Sequence, residues 1–467
     1  MDSPKRVLVF PAGTEIGLEL HRSLAFCKDI HLIGASSVTE DHANYVYSKL
    51  YDLSHVTSST FARDLCDFVT AERVDVIFPA HDEVIAALAT WSSPSLPVVG
   101  SGHNTIMLCR DKRQMYAFLR DAVPLPLVHA VQPDSDAFPV FMKPAKGQGS
   151  RGCFLAADVA EWRMLLEKDP SLVTMEYLPG AEYTVDCFTN RHGALQFVGP
   201  RMRRRITNGI ATNTVLVHLP EADFFASSLN EKFGFRGAWF FQLKQDSQGT
   251  LRLMEIGTRI AGSSGIHRLQ NVNLALLTFY DFFDVEVAVC PFTQDLWRDS
   301  GFHGVPPSSI RMDRALQSAY RFDLTYSTLC VDFDDCLYRS RAPGSEPQVD
   351  PLIVRLVFDC HNQGKTVILL TKHAGPLLPV LKELRLSRIF DRIKHIPACV
   401  SKTAWIQSEI LANREGAILI DDSYAERAVA IRAGIPAFAP DAVECLFPLR
   451  TTQCLNPSQP TDTPSSA

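Results

Sequence analysis

Four segments near the end of the chain place acids, a hydroxyl and a cation where phosphoryl chemistry needs them. Leu329-Cys330-Val331-Asp332-Phe333-Asp334-Asp335-Cys336-Leu337 runs from a buried-strand pattern into an Asp-x-Asp pair. Residues two apart on an extended backbone face one side, so Asp332 and Asp334 are predicted to work on one phosphorus centre, one attacking and the other handling protons. An acidic turn after a strand would leave the same trace. Val367-Ile368-Leu369-Leu370-Thr371 then finishes on a hydroxyl, and Ile418-Leu419-Ile420-Asp421-Asp422-Ser423 ends a strand on two acids. Ser401-Lys402-Thr403 sets a lysine at a helix start. The helix dipole disfavours a cation there, which points to a local anion.

A second set lies in the middle of the chain. Phe141-Met142-Lys143-Pro144-Ala145-Lys146-Gly147-Gln148-Gly149-Ser150-Arg151-Gly152 puts a lysine at a strand end directly before a glycine loop. Glycine lets backbone N-H groups approach phosphate oxygens, and lysine adds a mobile charge. A flexible hairpin would read the same way. Thr174 to Asp186 gives a strand, the Pro179-Gly180 bend and a second acid-bearing strand. Gln242 and Glu255 fall on two strands joined by the Asp246 to Gly249 turn, where facing side chains could share Mg2+.

The elements that must hold these residues divide the chain into several units. A length of 467 residues suits about three cores. Val7 to Phe10, the Pro11 to Thr14 turn and a helix over Glu15 to Ala25 open a βαβ pattern, continued by strands at Ile30 to Gly34 and Val74 to Phe78. This predicts a Rossmann-like sheet over 1–105. His81, Asp82 and Glu83 follow its last strand, and helix capping explains them better than ligand binding. Residues 106–290 read as hairpin-rich α+β, 291–326 as a linker with one short helix, 327–450 as a second doubly wound parallel sheet, and 451–467 as a disordered tail.

Composition excludes several classes. Hydrophobic residues are 46% and charged residues 21%, ordinary globular usage, and a net charge of -6 offers no field for nucleic acid. The 12 cysteines form no CxxC pair, no apolar run reaches membrane-spanning length, and the apolar run stopping at Pro11 falls short of a leader, so the expectation is a cytoplasmic enzyme with reduced thiols.

In order and spacing, the segments of residues 5–290 resemble the ATP-grasp superfamily, in its carbamoyl-phosphate-synthase-like and carboxylate-amine ligase branch. The resemblance implies ATP and Mg2+ as cofactors. Lys112, in Arg110-Asp111-Lys112-Arg113, and Lys143 match the lysines that hold ATP phosphates, and Gly147, Gln148, Gly149 and Ser150 the loop over them. Glu176, Tyr177 and Leu178 match the hinge that reads adenine, mainly through backbone groups, and Glu182 the acid for the ribose hydroxyls. Gln242 and Glu255 fall at metal positions, and Arg259 at the cation for the transferring phosphoryl group. One departure stands out: Glu255-Ile256-Gly257-Thr258-Arg259 has glycine where the family commonly has a ligand asparagine. Arg203, by its alternation with Arg201 and Arg205, is the arginine best placed to touch an acyl phosphate or substrate carboxylate, although a solvated strand face explains the basic run equally well.

Residues 327–447 resemble the haloacid dehalogenase-like (HAD) superfamily. That resemblance implies Asp332 as phosphoryl acceptor, Asp334 as general acid and base, Thr371 and Lys402 as phosphate holders, and Asp421 and Asp422 beside Asp332 and Asp334 around Mg2+. The gaps between these motifs hold no large cap, so the site either admits a bulky substrate or borrows its lid from the preceding half. Together the resemblances imply an ATP-dependent ligase joining a small-molecule carboxylate to an amine through an acyl phosphate, fused to a phosphatase for a phosphorylated metabolite. No nucleic acid or membrane partner is expected, and a homo-oligomer is left open. The alternatives are a phosphohydrolase with a regulatory, catalytically weak ATP-grasp module, and a nonenzymatic scaffold.

Overall fold

The computed structural model describes residues 3–38, 42–91, 96–147, 149, 151–207, 209–291, 311–313, 324–339, 348–411 and 416–447. Gln148, Ser150, the short helix expected in the linker and the 451–467 tail lie outside them. The chain opens with β1 (Lys5–Phe10), α1 (Glu15–Leu24), β2 (Ile30–Ser36), β3 (Leu50–Asp52), α2 (Phe61–Ala71), β4 (Val76–Pro79) and α3 (Asp82–Thr90). The strands form a parallel sheet in the order β3-β2-β1-β4. A period of two sorts the apolar run of β1 onto both faces. Val7 and Val9 pack with Leu20 and Leu24 of α1, while Leu8 and Phe10 pack with Phe61 and Leu65 of α2 and Val84 of α3.

Two short helices follow, α4 (His103–Arg110) and α5 (Lys112–Leu119). Next come β5 (Val128–His129), β6 (Val140–Pro144), β7 (Phe154–Ala156), α6 (Val159–Lys168) and β8 (Leu172–Glu176). These strands form an antiparallel sheet in the order β5-β8-β6-β7. A larger sheet is built from β9 (Glu182–Thr189), β10 (Leu195–Thr207), β11 (Ile210–Leu216), β12 (Gly237–Gln245), β13 (Leu251–Gly257) and β14 (Arg311–Asp313), with α7 (Glu221–Phe233) and α8 (Leu274–Phe282) between strands in sequence. Alternation again divides it. Tyr183, Val185 and Cys187 of β9 join Phe225 and Leu229 of α7 in an aromatic core that includes Trp239, stacked 3.9 Å from Phe235. Residues of the opposite parity, Glu182, Thr184 and Asp186, share the other face with Gln242 and Glu255.

One segment departs from the sequence expectation. The 291–326 linker contributes β14, which pairs antiparallel with β11 and buries Met312. Strand β11 otherwise ends the sheet with unpaired backbone, and a returning strand satisfies it. Pro306-Pro307 dominated the linker's composition and concealed the three-residue strand.

The chain continues through β15 (Thr328–Val331), the ribbon β16 (Tyr338–Arg339) and β17 (Gln348–Val349), α9 (Pro351–Asn362), β18 (Thr366–Thr371), α10 (Leu377–Glu383), β19 (Arg392–His395), α11 (Lys402–Glu409), β20 (Ala417–Ile420), α12 (Tyr424–Arg432) and β21 (Ala437–Phe438). Five strands form a parallel sheet in the order β19-β18-β15-β20-β21. The order reverses at β15, so the carboxyl end of that strand lies at a topological switch point, where open sheets present ligands. Among the described residues, no helix is long and apolar enough to cross a membrane.

The last sheet shares a core with the rest. Ile266 and Leu269, in the 3-10 turn Ser264–Gln270, are buried among Leu329, Ile418 and their neighbours. Polar contacts border this joint: Arg268 Nη1 donates to Asp441 O at 2.5 Å, Asn273 Nδ2 to Asp441 Oδ2 at 2.8 Å, and Arg427 Nε to Asn271 Oδ1 at 2.8 Å. Ile266→Ala removes apolar volume from both sides at once and should destabilise the last sheet by about 2–5 kcal/mol. Hydrogen exchange of the β15 and β20 amides measures it, and unchanged protection contradicts a shared core.

Candidate functional site

The alternation of β9, β10, β12 and β13 brings Glu182, Arg203, Gln242 and Glu255 to one face, opposite Lys143 on β6. They line a cavity of about 120 Å³ between the two antiparallel sheets. It adjoins a cleft of about 890 Å³ that reaches Thr14, His81 and Asp82 at the edge of the first sheet. Gly147, Gly149 and Arg151 border both. Gly152 ends the loop at φ 71°, a left-handed backbone that favours glycine, with Pro144 Cγ only 3.1 Å from where a Cβ would sit.

Lys143 is buried, and Nζ donates to Tyr116 Oη at 2.9 Å and Met254 O at 3.0 Å. Burial pulls its ammonium down to about 8, against an upward pull from Glu255. Lys112, first residue of α5, is also buried and donates from Nζ to Gly147 O at 3.1 Å. Burial lowers it too, opposed by Glu255. The two lysines therefore crowd one carboxylate, a surplus of positive charge that suits a polyphosphate. Glu255 lies directly opposite Gln242 in register, but Gln242 Oε1 already accepts from Arg203 Nη1 at 2.8 Å. One carboxylate and one engaged amide fit a Mg2+ ion held chiefly by phosphate oxygens and water.

Arg203 also pairs with Glu182 and donates to Gly209 O at 2.6 Å, and Lys244 approaches Glu182 at 3.6 Å. The alternation that selected Arg203 stops there. A bulge separates Arg203 from Arg205, Arg204 and Arg205 are exposed, and Arg205 bonds Thr212. Arg201 turns inward to Asp186 at 2.6 Å and Ser263 Oγ at 2.9 Å, with His267 Nε2 on the same Asp186 oxygen at 3.0 Å. Burial pushes the Asp186 carboxyl up, but Arg201 and His267 outweigh it and hold it below its ordinary value. Glu176, Tyr177 and Leu178 line neither cavity. The Glu176 carboxylate accepts from Leu127 N at 2.9 Å, Tyr177 is exposed and Leu178 is buried.

Arg259 grips Asp82, donating from Nε and Nη2 at 2.7 Å each. Capping does not account for Asp82: His81 is the N-cap of α3, accepting from Glu83 N, and leaves the Asp82 carboxylate free for the arginine. The Arg259 guanidinium also lies 5.3 Å from the Phe240 ring centroid. Phe240 explains the departure at Gly257. The two are register partners, and a Cβ on Gly257 would fall 2.3 Å from Phe240 Cε1. An aromatic ring occupies the room that a ligand amide would need. Phe240 was within reach of sequence reasoning, because it shares strand parity with Gln242.

In the last sheet, Asp332 follows β15 and Asp421 follows β20. Lys402 Nζ sits 2.8 Å from Asp332 Oδ1 and 2.6 Å from Asp421 Oδ2. Oxygens of Asp332, Asp421 and Asp422 lie within 4.8 Å of one another. Burial and the neighbouring Asp421 raise the Asp332 carboxyl, and burial raises Asp421 against the pull of Lys402. Burial and Asp421 push Asp422 up to about 6. Burial lowers Lys402, yet the two carboxylates outweigh it and hold it above its ordinary value. Lys402 pairs with Asp332 and Asp421, and burial keeps the Asp422 carboxyl raised although Lys28 and Arg427 pull it down; three closely grouped carboxylates, an oxygen-only donor set, fit Mg2+. Arg427 donates from Nη1 to the carbonyls of Asp421 at 2.7 Å and Asp422 at 2.5 Å, fixing that turn.

Asp334 does not join the cluster. Strand β15 ends at Val331, so the expected alternation lapses, and the Asp334 carboxylate lies 2.9 Å from His373 Nδ1 instead. Thr371, fully buried at the end of β18, accepts from His373 N at 3.1 Å. His373 escaped the sequence reading because only the fold brings it 39 positions back to Asp334. The Gly257 and Phe240 contact yields a test in the first cleft. Gly257→Ala should cost about 1–3 kcal/mol by overpacking, and Phe240→Ala in the same chain should relieve most of it. Additive losses in denaturant unfolding would rule out the steric account.

Comparisons with known proteins bear on the middle of the chain. Residues 168–297 match the family model described as ATP-grasp in the biosynthetic pathway with Ter operon. A stretch of 125 residues is 28% identical to the D-alanine–D-alanine ligase of Thermotoga petrophila, covering 25% of this chain and 41% of that one. The chain thus spans about two fifths of that curated relative. In fold it is similar to the biotin carboxylase domain of 2-oxoglutarate carboxylase from Hydrogenobacter thermophilus, solved with MgADP and bicarbonate (TM-score 0.52, 17% identity, 62% of this chain and 71% of the other). It is likewise similar to N5-carboxyaminoimidazole synthetase from Staphylococcus aureus (TM-score 0.50, 14% identity, 61% and 78%). The central region is therefore similar to ATP-grasp proteins in sequence, and the chain shares the fold of these two enzymes.

Proposed function

We propose that the chain is an ATP-dependent, Mg2+-requiring ligase that joins a small-molecule carboxylate to an amine, fused to a HAD-like phosphatase. The observation that carries the ligase half is the convergence of Lys112, Lys143 and Glu255 beside a glycine loop, between two sheets, next to a cleft lined by arginines. The relative joins D-alanine to D-alanine, and the biotin carboxylase domain holds MgADP, so both names suit this reading. A carboxylate is a poor electrophile until its oxygen becomes a good leaving group, and an acyl phosphate supplies one. Lys112 and Lys143 would hold the β- and γ-phosphates, the loop would close over them, and Glu182 would take the ribose hydroxyls. Arg259, braced by Asp82, would neutralise charge on the transferring phosphoryl group, and Arg203 would orient the acceptor carboxylate. Mg2+ would neutralise phosphate charge beside Glu255 and Gln242.

In the last sheet Asp332 would accept a phosphoryl group held by Thr371 and Lys402. Asp334, with His373 behind it, would give a proton to the departing alcohol oxygen as the P-O bond breaks, and then take one from the water that frees phosphate from Asp332. Mg2+ beside Asp332, Asp421 and Asp422 would screen the attacking carboxylate from the incoming phosphate. A second reading, a phosphohydrolase with a nucleotide-binding regulatory module, draws support from Phe240 filling the ligand position at Gly257. ATP turnover separates the two.

Pairwise mixtures of amino acids with ATP and Mg2+ should include one that releases ADP, and Lys143→Ala should abolish that release. ADP release that persists without Lys143 overturns the clamp. Asp332→Asn should abolish phosphate release from an aryl phosphate while leaving ADP release intact. The proton balance of Lys143 adds a pH dependence. Free, it titrates near 8; phosphate must raise that value, so ATP affinity is full below about pH 8 and falls by up to about tenfold per unit above it. Titration calorimetry at pH 7 and 9.5 measures this, and equal affinities contradict it.

A further inference from the structure

The turn between α1 and β2, Phe26 to Asp29, leaves the first sheet and reaches the rim of the aspartate cluster. Lys28 Nζ lies 2.5 Å from Asp335 Oδ2, three residues beyond Asp332. Beside it, the Phe26 ring centroid sits 4.6 Å from the Arg339 guanidinium, at the base of the β16 and β17 ribbon. The turn is anchored from behind. Tyr280 Oη donates to Asp29 Oδ2 at 2.7 Å and lies 3.4 Å from Cys27 Sγ, while Lys5 N donates to Asp29 O at 2.8 Å.

The nearby cations are engaged in different ways. Lys402 is enclosed by Asp332 and Asp421, Arg427 holds backbone carbonyls, Lys372 pairs with Glu426 at 2.6 Å and Arg339 with Asp350 at 2.6 Å. Lys28 alone of these five stands more than half exposed, at 54%. A half-exposed ion pair is worth little, so Asp335 yields its place cheaply to an incoming anion already tethered by its phosphoryl end.

We propose that Lys28 is a specificity-determining residue of the aspartate site, lent by the first sheet, and that it binds a carboxylate on the far end of the phosphorylated substrate. The proposal rests on the phosphoryl-handling reading of the last sheet. It makes the two halves share a chemistry, since a carboxylate-bearing phosphomonoester is what a carboxylate-amine ligase would consume once dephosphorylated, or release as a phosphorylated product.

The test uses the full chain with Mg2+ and three esters: 3-phosphoglycerate, glycerol 3-phosphate and propane-1,3-diol bisphosphate. The parent should favour 3-phosphoglycerate. Lys28→Ala should lower kcat/KM for it about tenfold, through KM, with a much smaller effect on glycerol 3-phosphate, and Lys28→Arg should restore most of the loss. Asp335→Asn frees the ammonium and should lower KM for 3-phosphoglycerate. Equal losses on both monoesters, or Asp335→Asn reproducing Lys28→Ala, make Lys28 a structural partner only and overturn the proposal. A preference for the bisphosphate overturns the carboxylate as its target. Calorimetric binding separates the two levels of inference. Binding of 3-phosphoglycerate that depends on Lys28 without turnover upholds Lys28 and defeats the hydrolase reading; hydrolysis of all three at similar kcat/KM does the reverse.

Discussion

Lys143 gives up its water to sit between a tyrosine hydroxyl and a backbone carbonyl, with Glu255 as the acid whose field reaches it most strongly, and the first cleft is organised around that shortfall. Burying a cation without a matched anion opposes folding, so such a residue persists where a ligand makes good the difference. Lys112 deepens the surplus. The aspartate cluster is the converse: burial and mutual repulsion raise its carboxyls although Lys402, Arg427 and Lys28 act on them. The two sites thus differ in sign: buried cations gather between the antiparallel sheets, and buried carboxylates gather at the end of β15.

Between them lies the segment from Ser263 to Asn273, which faces both ways. On the cleft side Ser263 accepts from Arg201 and His267 meets Asp186, so the floor beneath the arginines is fixed by a buried polar network. On the other side Ile266 and Leu269 enter the core of the last sheet, and Asn271 holds the Arg427 that clamps the Asp421 and Asp422 carbonyls. Movement of this segment would be felt at both sites, because packed cores pass displacement on rather than absorbing it. A chain of contacts is a route, and whether energy travels along it depends on the segment having two arrangements.

What could be read in the sequence was what period and local chemistry carry. Buried runs such as Val7 to Phe10 and Ala417 to Ile420 marked strands, and strand parity was a signal that would have grouped Gln242 with Phe240 and Glu182 with Asp186 had it been followed. Asp332, Lys402 and Asp421 were legible because each sits at a strand or helix end. Partnerships between distant elements were not. Asp82 looked like a helix cap because nothing local shows that Arg259, 177 positions on, would take its carboxylate. Lys28 carried no signal, being one lysine in a turn. Strand β14 is three residues long, too short for any period, and exists because β11 needed a partner.

Gly257 shows how the same contact changes meaning with its surroundings. As a sequence feature it is a missing ligand. In the fold it is the space that the Phe240 ring fills, beside Arg259. An arginine held by Asp82 on one side and an aromatic face on the other is fixed in direction, which is what the role proposed for Arg259 would require. Under the proposed ligase chemistry, the cleft would lean on oriented cations, Arg259, Lys112 and Lys143, more than on the donors of β12 and β13.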